Sequence, residues 1–274
     1  METQGNLTIS GKAPLYNRPE PLTPQDHGKL GLKHFDNPFF VANQQHFVPL
    51  LINEFGSAAC NYPIIFAGED RTPLAVMGLK PGQNLFAAEL PVRGETYVPA
   101  YIRRYPFTVA TAKDGDEMRA VVCIDRDSPL IGENPDQPFF QNGTYTDYTK
   151  HCVDFCQSYE NERMLTQNVC KRLKDLDLFE QRGVEYKPKN AAGEELPAVQ
   201  VASFLSISQA KVNALPVETY LELRDMGVLT GIFAHWMSQW HWDRMVARST
   251  RMEAEQRNAA DTKVPLKGKA KKDS

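Results

Sequence analysis

The sequence predicts an α+β fold, with a mainly antiparallel sheet in the N-terminal half and a helical C-terminal half packed on it. Three observations carry this. Short apolar runs in the first half are joined by turns too short for a crossover helix, so neighbouring strands must run antiparallel. Lys113-Asp114-Gly115-Asp116 joins two such runs, and its Asp-Gly pair supplies the positive φ of a tight hairpin. Past Gly143 the apolar spacing becomes helical, with Tyr148, Cys152, Phe155, Cys156 and Tyr159 recurring on one face. The 274 residues suit one large domain with appendages and suffice for a sizeable core.

Residues 1–38 are expected to form an extended N-terminal arm. Four prolines fall before position 25 and periodicity is weak, so the segment wraps the surface or is partly disordered. A single α+β domain is expected over 39–248. Residues 41–53 open it as a strand or short helix, and Phe55-Gly56-Ser57-Ala58-Ala59-Cys60 is a small-residue segment suited to close packing. Residues 62–67 read as a strand, 68–71 as its turn and 74–79 as the returning strand. Pro81-Gly82-Gln83-Asn84 turns into 85–88, and a proline-rich bend follows around Pro91. Residues 97–107 are expected to run extended, ahead of the hairpin strands 107–112 and 118–124. The helical pattern continues through Leu165, Val169, Leu173 and Leu176 as a helix pair or one bent helix ending at Gly183. A polar loop over 187–197, a strand over 199–207 and a short helix over 216–226, stopped by Gly227, come next. The last helix is expected over 228–248. Residues 249–274, with seven Lys/Arg against four Asp/Glu, are expected to be a basic, flexible tail.

Charge and cysteine usage exclude several function classes. With 31 Lys+Arg against 34 Asp+Glu, no whole-molecule field draws the chain to nucleic acid, and specific nucleic-acid binding is not expected. At 17 residues, 226–242 is as long as any stretch without Asp, Glu, Lys or Arg, and it is shorter than the roughly 20 apolar residues a membrane span needs. The N-terminus has no basic segment before an apolar core, so no secretory signal is expected and the location is read as cytoplasmic. Cys60, Cys123, Cys152, Cys156 and Cys170 are odd in number and scattered, which reads as free thiols in a reducing compartment. Cys152 and Cys156 have no second ligand pair with zinc-site spacing, so no metal site and no cofactor is expected.

No phosphate-binding loop, dinucleotide fingerprint, nucleophile elbow or zincin helix is present. Asp125-Arg126-Asp127 could hold a divalent ion through phosphates, yet turn-forming Asp is expected before Ser128-Pro129 anyway. The densest polar–aromatic cluster is 97–107. If extended, it sets Tyr101, Arg103, Tyr105 and Phe107 on one face and Arg104 on the other. An arginine between tyrosines can stack and can offer a bidentate fork to a carboxylate or phosphate, or it can pair with a structural carboxylate. In the last helix Leu229, Ile232, Phe233, Trp236, Met237 and Trp240 form an apolar stripe, while Gly231, His235, Ser238 and Trp242 line another face. His235 and Ser238 then face a cleft or partner with Trp242 at its edge, or His235 is a hydrogen-bonded core histidine.

These residues resemble the bacterial SapC family. The resemblance rests on Tyr62-Pro63-Ile64-Ile65-Phe66, on Leu74 to Leu79 with Asn84-Leu85-Phe86, and on Arg103-Arg104-Tyr105-Pro106-Phe107 within the 97–107 block. It continues through Val122-Cys123-Ile124-Asp125, the helix entry at Gly143-Thr144, and Gly227-Val228-Leu229 to Ala234-His235-Trp236-Met237-Ser238. The Arg-Arg-Tyr-Pro-Phe block is its most specific part, and the tryptophans at 236, 240 and 242 are an unusual load. The missing catalytic motifs, with the aromatic-rich surfaces at Tyr101, Arg103 and Tyr105 and on the tryptophan helix, point to a soluble accessory or binding protein with a protein partner. The resemblance adds the setting. Its setting would be surface-protein (S-layer-type) secretion or a TonB-receptor-associated pathway, and the permease role often attached to such sequences conflicts with the hydropathy. The binding residues so implied are Tyr101, Arg103, Arg104, Tyr105, His235, Ser238 and Trp242. A second reading is an enzyme or enzyme subunit acting on a peptide or small anionic substrate. There Arg103 or Arg104 clamps the anion, His235 is the acid–base and Asn84 polarises a carbonyl. Oligomeric state is not legible.

Overall fold

The computed structural model describes residues 14–90, 96–114, 117–186 and 199–261. The expected bend at Pro91, the Gly115-Asp116 turn, the 187–197 loop, the first 13 residues of the arm and the tail beyond 261 lie outside the described residues. The chain runs through β1 (Pro19–Pro21), a single turn α1 (Pro24–His27), β2 (Leu30–Leu32), a 3-10 turn at Pro38–Ala42 and β3 (Phe47–Pro49). A second 3-10 turn (Ile52–Glu54) leads into α2 (Phe55–Ala58), followed by β4 (Ile64–Ala67) and β5 (Thr72–Val76). The one-turn α3 (Ala100–Arg103) precedes the hairpin β6 (Phe107–Asp114) and β7 (Glu117–Asp125). Short strands β8 (Ile131–Glu133), β9 (Gln137–Pro138), β10 (Phe140–Gln141) and β11 (Thr144–Tyr145) lead to α4 (Asp147–Asp175). Then come β12 (Phe179–Tyr186), β13 (Val199–Ile207), α5 (Gln209–Asn213), α6 (Val217–Asp225), α7 (Val228–Ser238) and α8 (His241–Asp261).

The fold is α+β, with antiparallel sheets mainly in the N-terminal half. A five-stranded sheet, β12-β13-β4-β5-β3, is the centre. Ile64, Ile65 and Phe66 on β4 and Leu74, Ala75 and Val76 on β5 are all buried, so these strands read as continuous apolar runs because both faces are covered. A second sheet, β1-β7-β6, and a third, β8-β2-β9, take strands from residues 19–32 of the arm. Leu22, Leu30, Phe107, Ile124, Phe139 and Cys156 form a smaller core there.

Four local expectations are corrected. Residues 97–107 are not extended. Pro99 enters α3, whose Ala100 N–H donates to the buried Glu54 carboxylate at 2.7 Å, and the Tyr105–Pro106 peptide is cis. Tyr101, Arg104 and Tyr105 therefore point inward and Arg103 is exposed. The helix after Gly143 is one 29-residue element ending at Asp175, not at Gly183. Asp177 takes a positive φ of 53° and the Leu178 amide donates back to Leu173, which turns the chain into β12, where Gly183 sits mid-strand. The last helix is two, broken at Gln239–Trp240. The His235 carbonyl accepts from Ser238 Oγ and Gln239 Nε2, so the Gln239 amide bonds Trp236 instead. Finally, α8 carries helix through 249–261, with Ser249 buried and accepting from Gln83.

Asp125 ties arm to hairpin. It is fully buried and accepts from the Asn17 amide (3.1 Å), the Arg18 amide (2.7 Å) and the Tyr105 hydroxyl (2.9 Å), while Asp127 faces Arg18. Replacing it strands three donors. Asp125→Ala is expected to lower unfolding stability by about 3 kcal/mol, and Asp125→Asn by less, read as midpoint shifts in urea.

Candidate functional site

Two regions combine unusual side-chain chemistry with accessible space. The first lies where α3 meets α4. Arg104, 8 % exposed, is held in a box of tyrosines: its guanidinium carbon stands 4.0 Å from the Tyr159 ring centroid, 4.7 Å from Tyr101 and 5.5 Å from Tyr16. Such contacts between a desolvated guanidinium and aromatic faces are each worth about 0.5–2 kcal/mol. Its Nη1 donates to Glu160 Oε1 at 3.1 Å, whereas Nε is buried and has no acceptor. Burial pushes the phenols of Tyr16, Tyr101 and Tyr159 upward, Tyr101 to about 12, so all stay neutral beside the cation. Arg103, on the outside of the same turn, stacks at 5.2 Å over Phe155 and donates through Nε to the Val98 carbonyl.

A cavity of about 250 Å³ opens beside these arginines, walled by Leu32, Tyr105, Phe107, Tyr148 and Phe155, with His151 and Cys152 at its edge. Burial raises the Cys152 thiol, and raises Cys156 to about 12, so neither is poised as a thiolate nucleophile.

The second region is a groove of about 530 Å³ between α2 and α7. Gly231 lets α7 approach closely: a Cβ there would stand 2.8 Å from Ile52 Cδ1. His241 Nε2 bonds the Ala59 carbonyl at 2.8 Å, closing one end. Phe233, Met237 and Trp240 remain 49 %, 58 % and 78 % exposed along the groove, and His241 and Arg244 edge it.

The face of the last helix expected to meet a cleft or partner is the buried one. His235 and Ser238 are fully buried and Trp242 is nearly so. His235 Nε2 accepts from the Ile207 amide (3.1 Å) and meets Ser206 Oγ (2.9 Å). Ser238 Oγ accepts from the Ile64 amide (3.0 Å). Trp242 stacks on Phe204 and donates to Gln239. Asn84 is also structural, donating to Ala42 and accepting from the Phe86 amide. Among the described residues the hydrogen-bond and ring partners of His235 and of Arg104 do not overlap, and neither His235 nor Asn84 lines either cavity. The structure thus brings Arg103, Arg104 and Tyr105 to one cavity but places His235, Ser238, Trp242 and Asn84 elsewhere, inside the protein. Tyr101 packs in the Arg104 box.

A family model for SapC matches residues 22–245, more than four-fifths of the sequence. The chain belongs to the SapC family. No curated protein and no solved structure matches it. Among the described residues of this SapC-family chain, no helix is long and apolar enough to cross a membrane. The match begins between β1 and α1 and ends within α8, so it takes in both candidate regions apart from Tyr16.

Sequence reasoning missed the roles of Tyr16, Glu54, Tyr159 and Glu160. Glu54 and Glu160 are single carboxylates without a motif, and only the tertiary fold brings them to Ala100 and Arg104. That reasoning placed Phe233, Met237 and Trp240 in one apolar stripe but turned the other face, with His235 and Ser238, toward the cleft.

Burial pushes the His235 imidazole down to about 3, with the Ile64 backbone only partly opposing this. The unfolded chain binds a proton there near its ordinary 6.5, so between pH 6.5 and about 3 the unfolded state holds the extra proton. Stability contributed by neutral His235 is present above pH 6.5 and lost as pH falls. Unfolding titrations are expected to show wild type losing up to about 1.4 kcal/mol per pH unit across pH 6 to 4 that His235→Asn does not lose.

Proposed function

We propose that this SapC-family chain is a cytoplasmic accessory protein, not a membrane permease. It docks an apolar segment of a partner protein into the α2–α7 groove. One observation carries the reading: three large apolar side chains, Phe233, Met237 and Trp240, stand exposed side by side over a preformed groove. A contiguous apolar patch rimmed by polar groups is the usual mark of an interaction surface on a water-soluble body, and tryptophan is enriched among residues that dominate binding energy. The positive charge of Arg244 at the groove's edge favours a partner segment that carries acidic residues beside its apolar ones. The pathway, surface-protein export of the S-layer type or one associated with TonB-dependent receptors, follows from the family likeness.

Affinity capture from a native lysate is expected to retain a partner protein on the wild-type chain. The Met237→Ala/Trp240→Ala double variant is expected to lose at least about tenfold in affinity for that same partner. Its thermal unfolding should stay within about 0.5 kcal/mol of wild type, because both side chains are largely exposed. Retention of the same partner by the double variant, or no specific partner on the wild type, overturns the reading.

A further inference from the structure

The cavity beside α3 and α4 has chemistry of its own and shares no lining residue with the α2–α7 groove. We infer that it binds a small apolar carboxylate, whose charged end meets Arg103 and whose hydrocarbon end lies against Phe107, Tyr148 and Leu32.

The charge argument comes first. Arg103 has no carboxylate within ion-pair distance among the described residues. Its Nε holds the Val98 carbonyl, its Nη2 reaches the Tyr97 hydroxyl at 3.4 Å, and the guanidinium lies between the Phe155 and Tyr97 rings. This leaves Nη1, without a partner among the described residues, to meet an anion. A guanidinium held this way loses little freedom on meeting an anion, which favours binding over an equally charged but mobile lysine. Arg104, held in its tyrosine box and also lining the cavity, adds a second fixed positive charge beside it.

The same neighbours set the ligand's charge. Glu160 already neutralises one edge of Arg104 at 3.1 Å, so a dianion such as phosphate would meet repulsion that a monoanion largely avoids. The walls set its shape. They are predominantly apolar, and at about 250 Å³ the space is smaller than drug-sized pockets, which suits a short branched or aromatic acid. Nothing in the cavity calls for covalent chemistry, because the Cys152 thiol is raised by burial and serves as wall.

Isothermal titration calorimetry with phenylacetate, benzoate and isovalerate tests this directly, with phenylacetamide as the neutral isostere and inorganic phosphate as the dianion. At least one acid is expected to bind with Kd on the order of 1 mM or tighter, and the amide at least about tenfold weaker. Arg103→Gln should cost about tenfold or more in acid affinity while leaving the urea midpoint unchanged, because its side chain is exposed. Cys152→Phe, which fills the cavity, should abolish acid binding while Arg103 stays intact. Equal binding of acid and amide overturns the inference, as does phosphate binding as tightly as the acids. So does acid binding that survives both substitutions, or no saturable binding of any acid up to about 10 mM.

Discussion

The seam between β4 and β13 sets the terms for the C-terminal half of this protein. The two strands register at a single pair, Leu205 with Phe66, and then diverge inside the core. Divergence there strands backbone groups that water cannot reach, at roughly 1–3 kcal/mol for each group left unpaired. Helix α7 supplies the missing partners from its side chains. Ser238 Oγ takes the Ile64 amide and Gln239 Nε2 meets the Ile64 carbonyl. On the other strand His235 Nε2 takes the Ile207 amide and Trp236 Nε1 meets the Ile207 carbonyl. Four side chains within five residues thus stand in for a stretch of β-ladder. A neutral imidazole is required, since Nε2 must offer a lone pair to an amide, and burial holds it neutral. The same bonding ends the helix, because the His235 carbonyl is spent on side chains.

A parallel constraint organises the region around α3. Folding its one turn into the core buries a cation, and the chain surrounds Arg104 with neutral phenol rings and one carboxylate instead of exposing it. Buried acids then hold the turn at both ends. Glu54 accepts from Ala100 and the Tyr97 hydroxyl, and Asp125 accepts from Tyr105. The arm joins through Tyr16, whose hydroxyl donates to the Phe107 carbonyl, and through the Pro14 carbonyl, which accepts from Tyr101. Losing one member leaves others buried without partners, which is why such networks resist piecemeal change.

Local physics made much of this legible in the sequence. The β6–β7 hairpin pairs in unbroken register from Phe107–Ile124 to Asp114–Glu117, as the alternation around Asp-Gly implies. The β4–β5 hairpin follows its apolar runs, and Gly227 stops α6 with a φ of 73°. The misreadings share one cause. Spacing identifies the faces of a helix but not which face turns inward, and that is decided by strands far away in sequence. On α7 the polar face is buried because Ile64 and Ile207 need it. At 97–107 the bounding prolines suit extended chain and helix entry alike, and a carboxylate some 45 residues upstream, Glu54, decides for the helix. Arg104 was singled out by its neighbours in sequence, whereas its ion-pair partner Glu160 belongs to another element and no local pattern announces it.

The seam also bears on whether the exposed residues of α7 mean anything. Rotating the helix to bury Phe233, Met237 and Trp240 would strand the Ile64 and Ile207 groups. It would also bring out Val228 and Ile232, each worth roughly 1.5–3 kcal/mol when buried. The gain from three side chains, two of them already about half covered, does not match that loss. The fold therefore dictates which positions of α7 face outward. It does not dictate all that occupies them: Phe233 packs edge-on against Trp236, but glutamate, lysine or glutamine at 237 or 240 would cost little in the core. Methionine and tryptophan at 237 and 240 answer little demand of folding, and covering them would remove apolar surface from water. That residue choice, more than the groove itself, is what the proposed docking role rests on.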